Sequence, residues 1–434
     1  MIALKNLTSR LSQNSFIGSV ALIAGGTALG QAAVIAVSPI LTRLYSPEDF
    51  GLLAVFVSVF SILVTMNSLR YELAIPLAES PARAANLIVL VLLLVIVTTV
   101  LFGVIFGLSG EALTQLINAP GLYPHLGLLL LSLMGAGFYQ GLSYWGIRQN
   151  AVRLLARTRF MQNFGMAAAQ LILGLAGLGI GGLLLGHAVG QIMGTLTLTR
   201  LAWRENRDHL RSVTPGSLMD AAGRYRRFPL YASWSGALNI ASIQLPALLL
   251  ISLYGADVAG WFSLGQRVIG LPMALVGTAV GQVYLSRASQ LAREKPGELS
   301  AFFSKTARRL FLIALLPIIA LALVSPPAFG FVFGENWRAA GEFLQIMAPM
   351  FLIQFVVSSL SQTIFVVERQ DLQLLYDVMR TGLIVLIFVI AGLLHFTPIV
   401  TIAFYSAAMF VLYILHILMN RYAIGRYLAV TGNV

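Results

Sequence analysis

Apolar runs of about 20 residues recur along almost the whole of this chain, and no other feature limits its fold so tightly. The stretch ANLIVLVLLLVIVTTVLFGVIFGL (85–108) is one of them. A helix of about 20 such residues, rising 1.5 Å per residue, spans the hydrocarbon core of a bilayer. A helix on the surface of a soluble protein shows one apolar stripe and not apolar residues all round. Only 10% of the 434 residues are charged, against about a quarter in soluble domains. The expected fold class is an all-α polytopic membrane protein.

The runs predict twelve spans: 17–42, 51–77, 85–109, 124–148, 156–179, 181–202, 228–253, 261–285, 307–328, 338–366, 372–393 and 398–419. Lys5 and Arg10 precede the first, which is too long for a signal-peptide core and is expected to be retained. The formal charge of +12 is no sign of nucleic-acid binding, because the basic residues gather in every second loop. With the N-terminus inside, 24 of the 28 Lys and Arg residues lie on the inner side. Arg43 and Arg338 fall outside, and Arg267 and Arg380 fall within spans. Positive residues favour the cytoplasmic side, so both termini are expected there. Fusing the spans at 156–179 and 181–202 would move the basic stretch at 204–227 outside and break that pattern.

The same stretch halves the chain into an N-terminal lobe (1–203) and a C-terminal lobe (228–434), each with six spans. A repeat supports the division. LTRLYSPEDFG (41–51) is echoed by LISLYGADVAG (250–260), each between the first two spans of its half. In both, a Tyr is followed six residues later by a Gly (Tyr45 and Gly51, Tyr254 and Gly260). Six spans per half give the halves the same orientation, a parallel repeat about an axis along the membrane normal. In the first copy Pro47 is expected to start a tight external turn and Gly51 to release it, with Glu48 and Asp49 at a helix N-terminus.

Composition also excludes chemistry. Without cysteine there is no disulfide, thiolate metal site or cysteine nucleophile. No metal-ligand spacing, Walker loop or nucleophile elbow is present, and GGTALG (25–30) is a small-residue helix face. His187, inside a span, reads as a hydrogen-bonded structural residue. No cofactor is expected, and no loop is long enough to fold as a catalytic domain.

LTRLYSPEDFGLLAVF (41–56), SLRYELAIPLA (68–78) and FGENWRAAGEFLQIMAP (333–349) resemble the oligosaccharide flippases of bacterial polysaccharide export. These are the Wzx-type proteins of the multidrug/oligosaccharidyl-lipid/polysaccharide exporter superfamily. The resemblance covers essentially the whole chain. It implies two six-helix lobes in a V around a central cavity. It also implies a polyprenyl-diphosphate-linked oligosaccharide moved from the inner to the outer leaflet of the cytoplasmic membrane. A polysaccharide polymerase and a chain-length regulator are the partners it implies, with the transporter itself a monomer and not an enzyme. Relatives that flip the peptidoglycan precursor usually carry two further helices. A chain ending soon after its twelfth is expected to serve O-antigen, capsule or exopolysaccharide.

Such a substrate sets demands that particular residues can meet. A diphosphate cannot enter hydrocarbon unpaired, and a planar, always-charged guanidinium is its best ligand. Arg267 lies about 9 Å along its helix from Trp261 at ~1.5 Å per residue. It has no carboxylate within one turn and shares a face with Ala274, Thr278 and Gly281. Arg380 follows Asp377 by three residues and either pairs with it or binds substrate. Arg70 and Glu72 either form a site or snorkel at the inner interface. Glu72, Asp377 and Glu342 are the candidates for ion coupling or ion pairing. Polar stripes occur at Ser58, Ser61, Thr65 and Ser68, with Asn67 beside them. Others occur at Trp234, Ser235, Asn239, Ser242 and Gln244, and at Gln354, Ser358, Ser361 and Gln362. They are either the walls of a wet cavity or helix-packing seams; the Asn and Gln positions favour the cavity. Two other functions compete: a drug/cation antiporter, kept alive by the carboxylates, and a polysaccharide polymerase or ligase, which would need a large external loop.

Overall fold

The computed structural model of the protein describes residues 16–431, and all regular structure among them is helical. Lys5 and Arg10, and the side chains of Ala274 and Thr278, lie outside the described residues. Helix α1 (Phe16–Leu44) leads almost directly into α2 (Pro47–Met66). The Ser46 hydroxyl accepts the Asp49 amide at 3.1 Å, and the Asp49 carboxylate accepts the Ser46 amide at 3.0 Å. This capping box, with Pro47 in the first turn, is why the SPED stretch starts a helix so abruptly. Gly51 does not release the turn as expected, since it lies within α2. A Cβ there would stand 1.8 Å from the Ala256 carbonyl oxygen, so glycine lets the two echoed stretches touch.

Helices α3 (Pro81–Leu116), α4 (Leu126–Arg148), α5 (Val152–Leu175) and α6 (Gly179–Ile192) follow the expected order. Next come α7 (Thr195–Arg211), α8 (Pro215–Arg224) and α9 (Ser233–Tyr254), the last entered through a π-helical turn at Phe228–Ala232. The echo is again a tight junction: α9 stops at Tyr254, Gly255 takes φ 86°, and α10 (Ala256–Glu294) begins. Then come α11 (Pro296–Phe333), α12 (Arg338–Leu360), the short α13 (Thr363–Val366), α14 (Gln370–Leu393) and α15 (Pro398–Thr431). Ten helical stretches among the described residues are long and apolar enough to cross a membrane; α5 and α10 are not among them. In α5 the first turns carry Arg153, Arg157 and Arg159.

Three expected spans are interrupted, the one at 338–366 by a turn at Ser361 and Gln362 between α12 and α13. The span at 51–77 stops at Met66, takes left-handed backbone at Leu69 (φ 50°) and Arg70 (φ 62°), and continues as a 3-10 segment, Tyr71–Leu77. Pro76 has no amide to donate to a helix, and Asn67 is pinned where the chain breaks. Its side chain donates to the Leu133 carbonyl at 2.8 Å, and its own carbonyl accepts the Thr98 hydroxyl at 2.7 Å. The span at 181–202 stops at Ile192 and restarts after Gly194 (φ 87°). The basic stretch at 204–227, expected as a linker between the lobes, is largely helical. It ends α7 and forms α8, and Ala221, Ala222, Tyr225 and Phe228 pack into a cluster with Leu87, Ile88 and Trp145.

Packing divides the chain into two compact units, Met1–Ala259 and Gly260–Val434. Helix α9 belongs to the first unit because it lies along α2, where the Gln244 amide donates to the Ser58 hydroxyl at 3.3 Å. The sequence repeat assigns that helix to the second half, so repeat and packing draw different lines. In the second unit α12 is the central helix, with Phe343, Leu344, Met347 and Val356 buried. It packs on α11 so closely that a Cβ on Gly341 would stand 2.4 Å from the Ser325 carbonyl oxygen.

Candidate functional site

In the first unit several polar side chains gather around one carboxylate. Glu72 is fully buried. One carboxylate oxygen accepts the Ser68 hydroxyl, and the other accepts the Gln140 amide at 2.9 Å. Arg70 Nη1 stands 3.9 Å from the same carboxylate, a long ion pair that leaves its Nε buried without a hydrogen-bond partner. The Arg70 side chain is 22% exposed. Its guanidinium lies against α9, where a Cβ on Gly236 would stand 2.3 Å from Nη2. The left-handed turn at Leu69 and Arg70 therefore carries the guanidinium across to α9, which a continuous helix would not do.

The hydroxyls of the α2 stripe bond to their own helix. Ser58, Ser61 and Thr65 donate to the carbonyls one turn back at 2.7–2.8 Å, and Ser58 and Thr65 are buried. Ser58 also accepts the Gln244 amide of α9. On α9, Trp234 and Asn239 are exposed, and Asn239 is joined to Ser242 only through its carbonyl. Arg70 and Glu72 come together as expected, with Gln140 as a partner that the sequence did not single out.

The second unit holds the other candidates. Arg380 pairs with Asp377 at 3.3 Å, and Gln373 donates to the other Asp377 oxygen at 3.1 Å. The Arg380 guanidinium lies 5.8 Å from the Tyr376 ring centre, and His416 stacks on Tyr376 with ring centres 4.1 Å apart. The i,i+3 spacing was the sequence signal for the ion pair; nothing marked Tyr376 or His416. Arg267, on α10, is half-buried and makes no ion pair or hydrogen bond among the described residues. Glu342 on α12 is half-buried and likewise has no ion pair among them.

Beside Arg267 in sequence, Gln266 lines a cavity of about 600 Å³ between α10 and α12. Gln354 and Ser358 of α12 and Gln362 just beyond its end, three of the four polar residues singled out in this stretch, line it too, with Phe351. Gln266 was missed, since a single amide in an apolar helix carries no periodic signal. Among the described residues no group of three His, Asp or Glu side chains is placed to hold a metal ion.

A family model described as "Polysaccharide biosynthesis protein" matches residues 40–342. The lipopolysaccharide biosynthesis protein WzxC of Escherichia coli (strain K12) is 24% identical over 38% of this chain and 34% of its own length. The amylovoran biosynthesis protein AmsL of Erwinia amylovora is 22% identical over 46% of this chain and 50% of its own. The matches thus span half or less of these relatives. Among solved structures, an inward-facing transporter of the multidrug resistance MATE family, in the MOP superfamily, superposes with a TM-score of 0.63 at 16% identity. That match covers 93% of this chain and 95% of the other. The lipid II flippase MurJ, in an inward closed conformation, gives 0.63 at 14% identity, covering 92% and 87%. The fold is therefore that of the MATE and MurJ transporters, and with most of its length matched by the family model, this chain belongs to the polysaccharide biosynthesis protein family.

Proposed function

We propose that the protein carries an oligosaccharide linked to a polyprenyl diphosphate from the inner to the outer leaflet of the bacterial cytoplasmic membrane. The transfer proceeds by alternating access and serves O-antigen, capsule or exopolysaccharide assembly, without chemical change to the cargo. The observation that carries this reading is Arg267. A cation embedded in an apolar helix costs at least about 2.5 kcal/mol unless it is paired or wetted. Arg267 has no partner among the described residues, so its position is explained by an anion that comes and goes. A diphosphate meets that need, and a guanidinium holds it through two parallel hydrogen bonds. Arg70, loosely paired and partly exposed, is a second contact for the headgroup in the first unit.

The antiporter reading draws less support from the carboxylates. Both Glu72 oxygens already accept hydrogen bonds, and Asp377 is held by Arg380 and Gln373, so of the three carboxylates Glu342 is the one left to receive a cation. Deletion of the gene tests the proposal in cells. Surface polysaccharide should disappear while its lipid-linked unit accumulates on the inner leaflet. Loss of the polysaccharide with the lipid-linked unit already on the outer leaflet would make the protein a polymerase or ligase. Reporter fusions after residues 110, 257 and 335 should read outside, and those after 83, 215 and 295 inside.

A further inference from the structure

We propose that the cavity between α10 and α12 binds the neutral sugar part of the cargo, apart from the cation that holds its diphosphate. The proposal rests on the flippase reading and deepens it. At about 600 Å³ the cavity falls within the range of roughly 300–1,000 Å³ typical of ligand pockets. Its polar lining is Gln266, Gln354, Ser358 and Gln362, and among the described residues no charged side chain lines it. An anion held here would have no counter-charge, which directs the diphosphate elsewhere.

The amides are unspent. Among the described residues, none of the three glutamine side chains makes a hydrogen bond, and Gln354 Oε1 is buried with no partner. A buried polar atom left unpaired costs about 1–3 kcal/mol, so such atoms are the exception in folded proteins. An amide offers two donors and an acceptor, which suits hydroxyl groups that both give and take hydrogen bonds. Phe351 adds an apolar surface for the C–H face of a sugar ring.

The glycines of the wall point the same way. A Cβ on Gly277 would stand 3.5 Å from Ser358 Oγ, and one on Gly281 would stand 3.5 Å from the Ser359 carbonyl oxygen. These are ordinary contacts, so close helix packing does not require glycine at either position. What a larger side chain would take is the space of the cavity itself.

Full-length protein in lipid nanodiscs provides the test, with three probes. They are the host strain's lipid-linked repeat unit, the oligosaccharide released from it by mild acid, and polyprenyl diphosphate without sugar. Gln354→Leu keeps the side chain's bulk and removes its amide. It should weaken binding of the released oligosaccharide about tenfold, or about 1.4 kcal/mol, and leave polyprenyl diphosphate binding unchanged. Gly277→Leu should abolish oligosaccharide binding, and an unaltered melting midpoint in both variants would show that the fold survives. Wild-type oligosaccharide affinity in both variants would overturn the proposal, as would a wild-type protein that binds the lipid-linked unit no better than bare polyprenyl diphosphate. Failure of the wild-type protein to bind either lipid would overturn the flippase reading itself.

Discussion

The two units use similar residues in opposite ways. In the first, Ser58, Ser61 and Thr65 spend their hydroxyls on their own helix, and Ser68 and Gln140 both donate to Glu72. In the second, Gln266, Gln354 and Gln362 surround a cavity with their amides unbonded among the described residues, and Arg267 has no partner there. A polar side chain inside a membrane bundle must be satisfied by its neighbours or by something that visits. The Glu72 cluster of the first unit is of the former kind, and the cavity lined by Gln266, Gln354 and Gln362 in the second is, on the proposed function, of the latter.

The contrast is sharpest at two glycines. Gly51→Ala in the first unit drives a methyl group into the Ala256 backbone, which no side-chain adjustment relieves. It should cost about 3 kcal/mol or more, read as a large fall in the melting midpoint and in membrane yield. An unchanged midpoint would mean that α2 and the start of α10 are not packed as described. Next in size is Glu72→Ala, which strands Ser68, Gln140 and the Arg70 guanidinium together. A loss of about 2–4 kcal/mol is expected from thermal unfolding, and Glu72→Gln should recover at least half of it. Equal losses for the two variants would remove the hydrogen-bond account.

Much of this architecture was legible in the sequence. Apolar runs gave the long helices, and the SPED stretch gave the α2 cap, because both signals are local. The break at Leu69 and Arg70 was not legible, since neither is a residue that ordinarily marks left-handed backbone. Contacts from α3 and α4, among them those of Thr98 and Leu133 to Asn67, hold the chain there. The hydroxyl stripe of α2 was ambiguous for the opposite reason, because sequence spacing gives a face and not what covers it. The Gln354 and Gln362 stripe did mark a cavity wall, but Gln266, 88 positions earlier than Gln354, joins it only through the packing of α10 on α12.

Smaller effects on stability are expected where cargo is bound. Arg267→Ala should leave the melting midpoint unchanged or raised, because it removes a half-buried charge with no partner among the described residues. It should lower transport about tenfold or more, as loss of a charge-assisted contact worth about 1.5–3 kcal/mol implies. Arg267→Lys should restore part of that, since an ammonium lacks the two-pronged geometry. A strong fall in the midpoint for Arg267→Ala would reveal a structural ion pair instead. Smallest of all is Gly277→Ala, where the added methyl makes only ordinary contacts. Alanine is the better helix former by about 1 kcal/mol, so a slight gain in stability is expected, and a clear loss would show that the wall is already closed.

The most direct test of the account is leaflet exchange in a defined system. Purified protein would be reconstituted into vesicles carrying the host's lipid-linked oligosaccharide, and outer-leaflet sugar scored by an impermeant glycosidase or lectin. The account predicts that the wild-type protein exposes the inner-leaflet pool to the probe, that Arg267→Ala vesicles retain most of it, and that the released product is chemically unaltered. Exchange no faster than in protein-free vesicles, or exchange at the wild-type rate by Arg267→Ala, would contradict it.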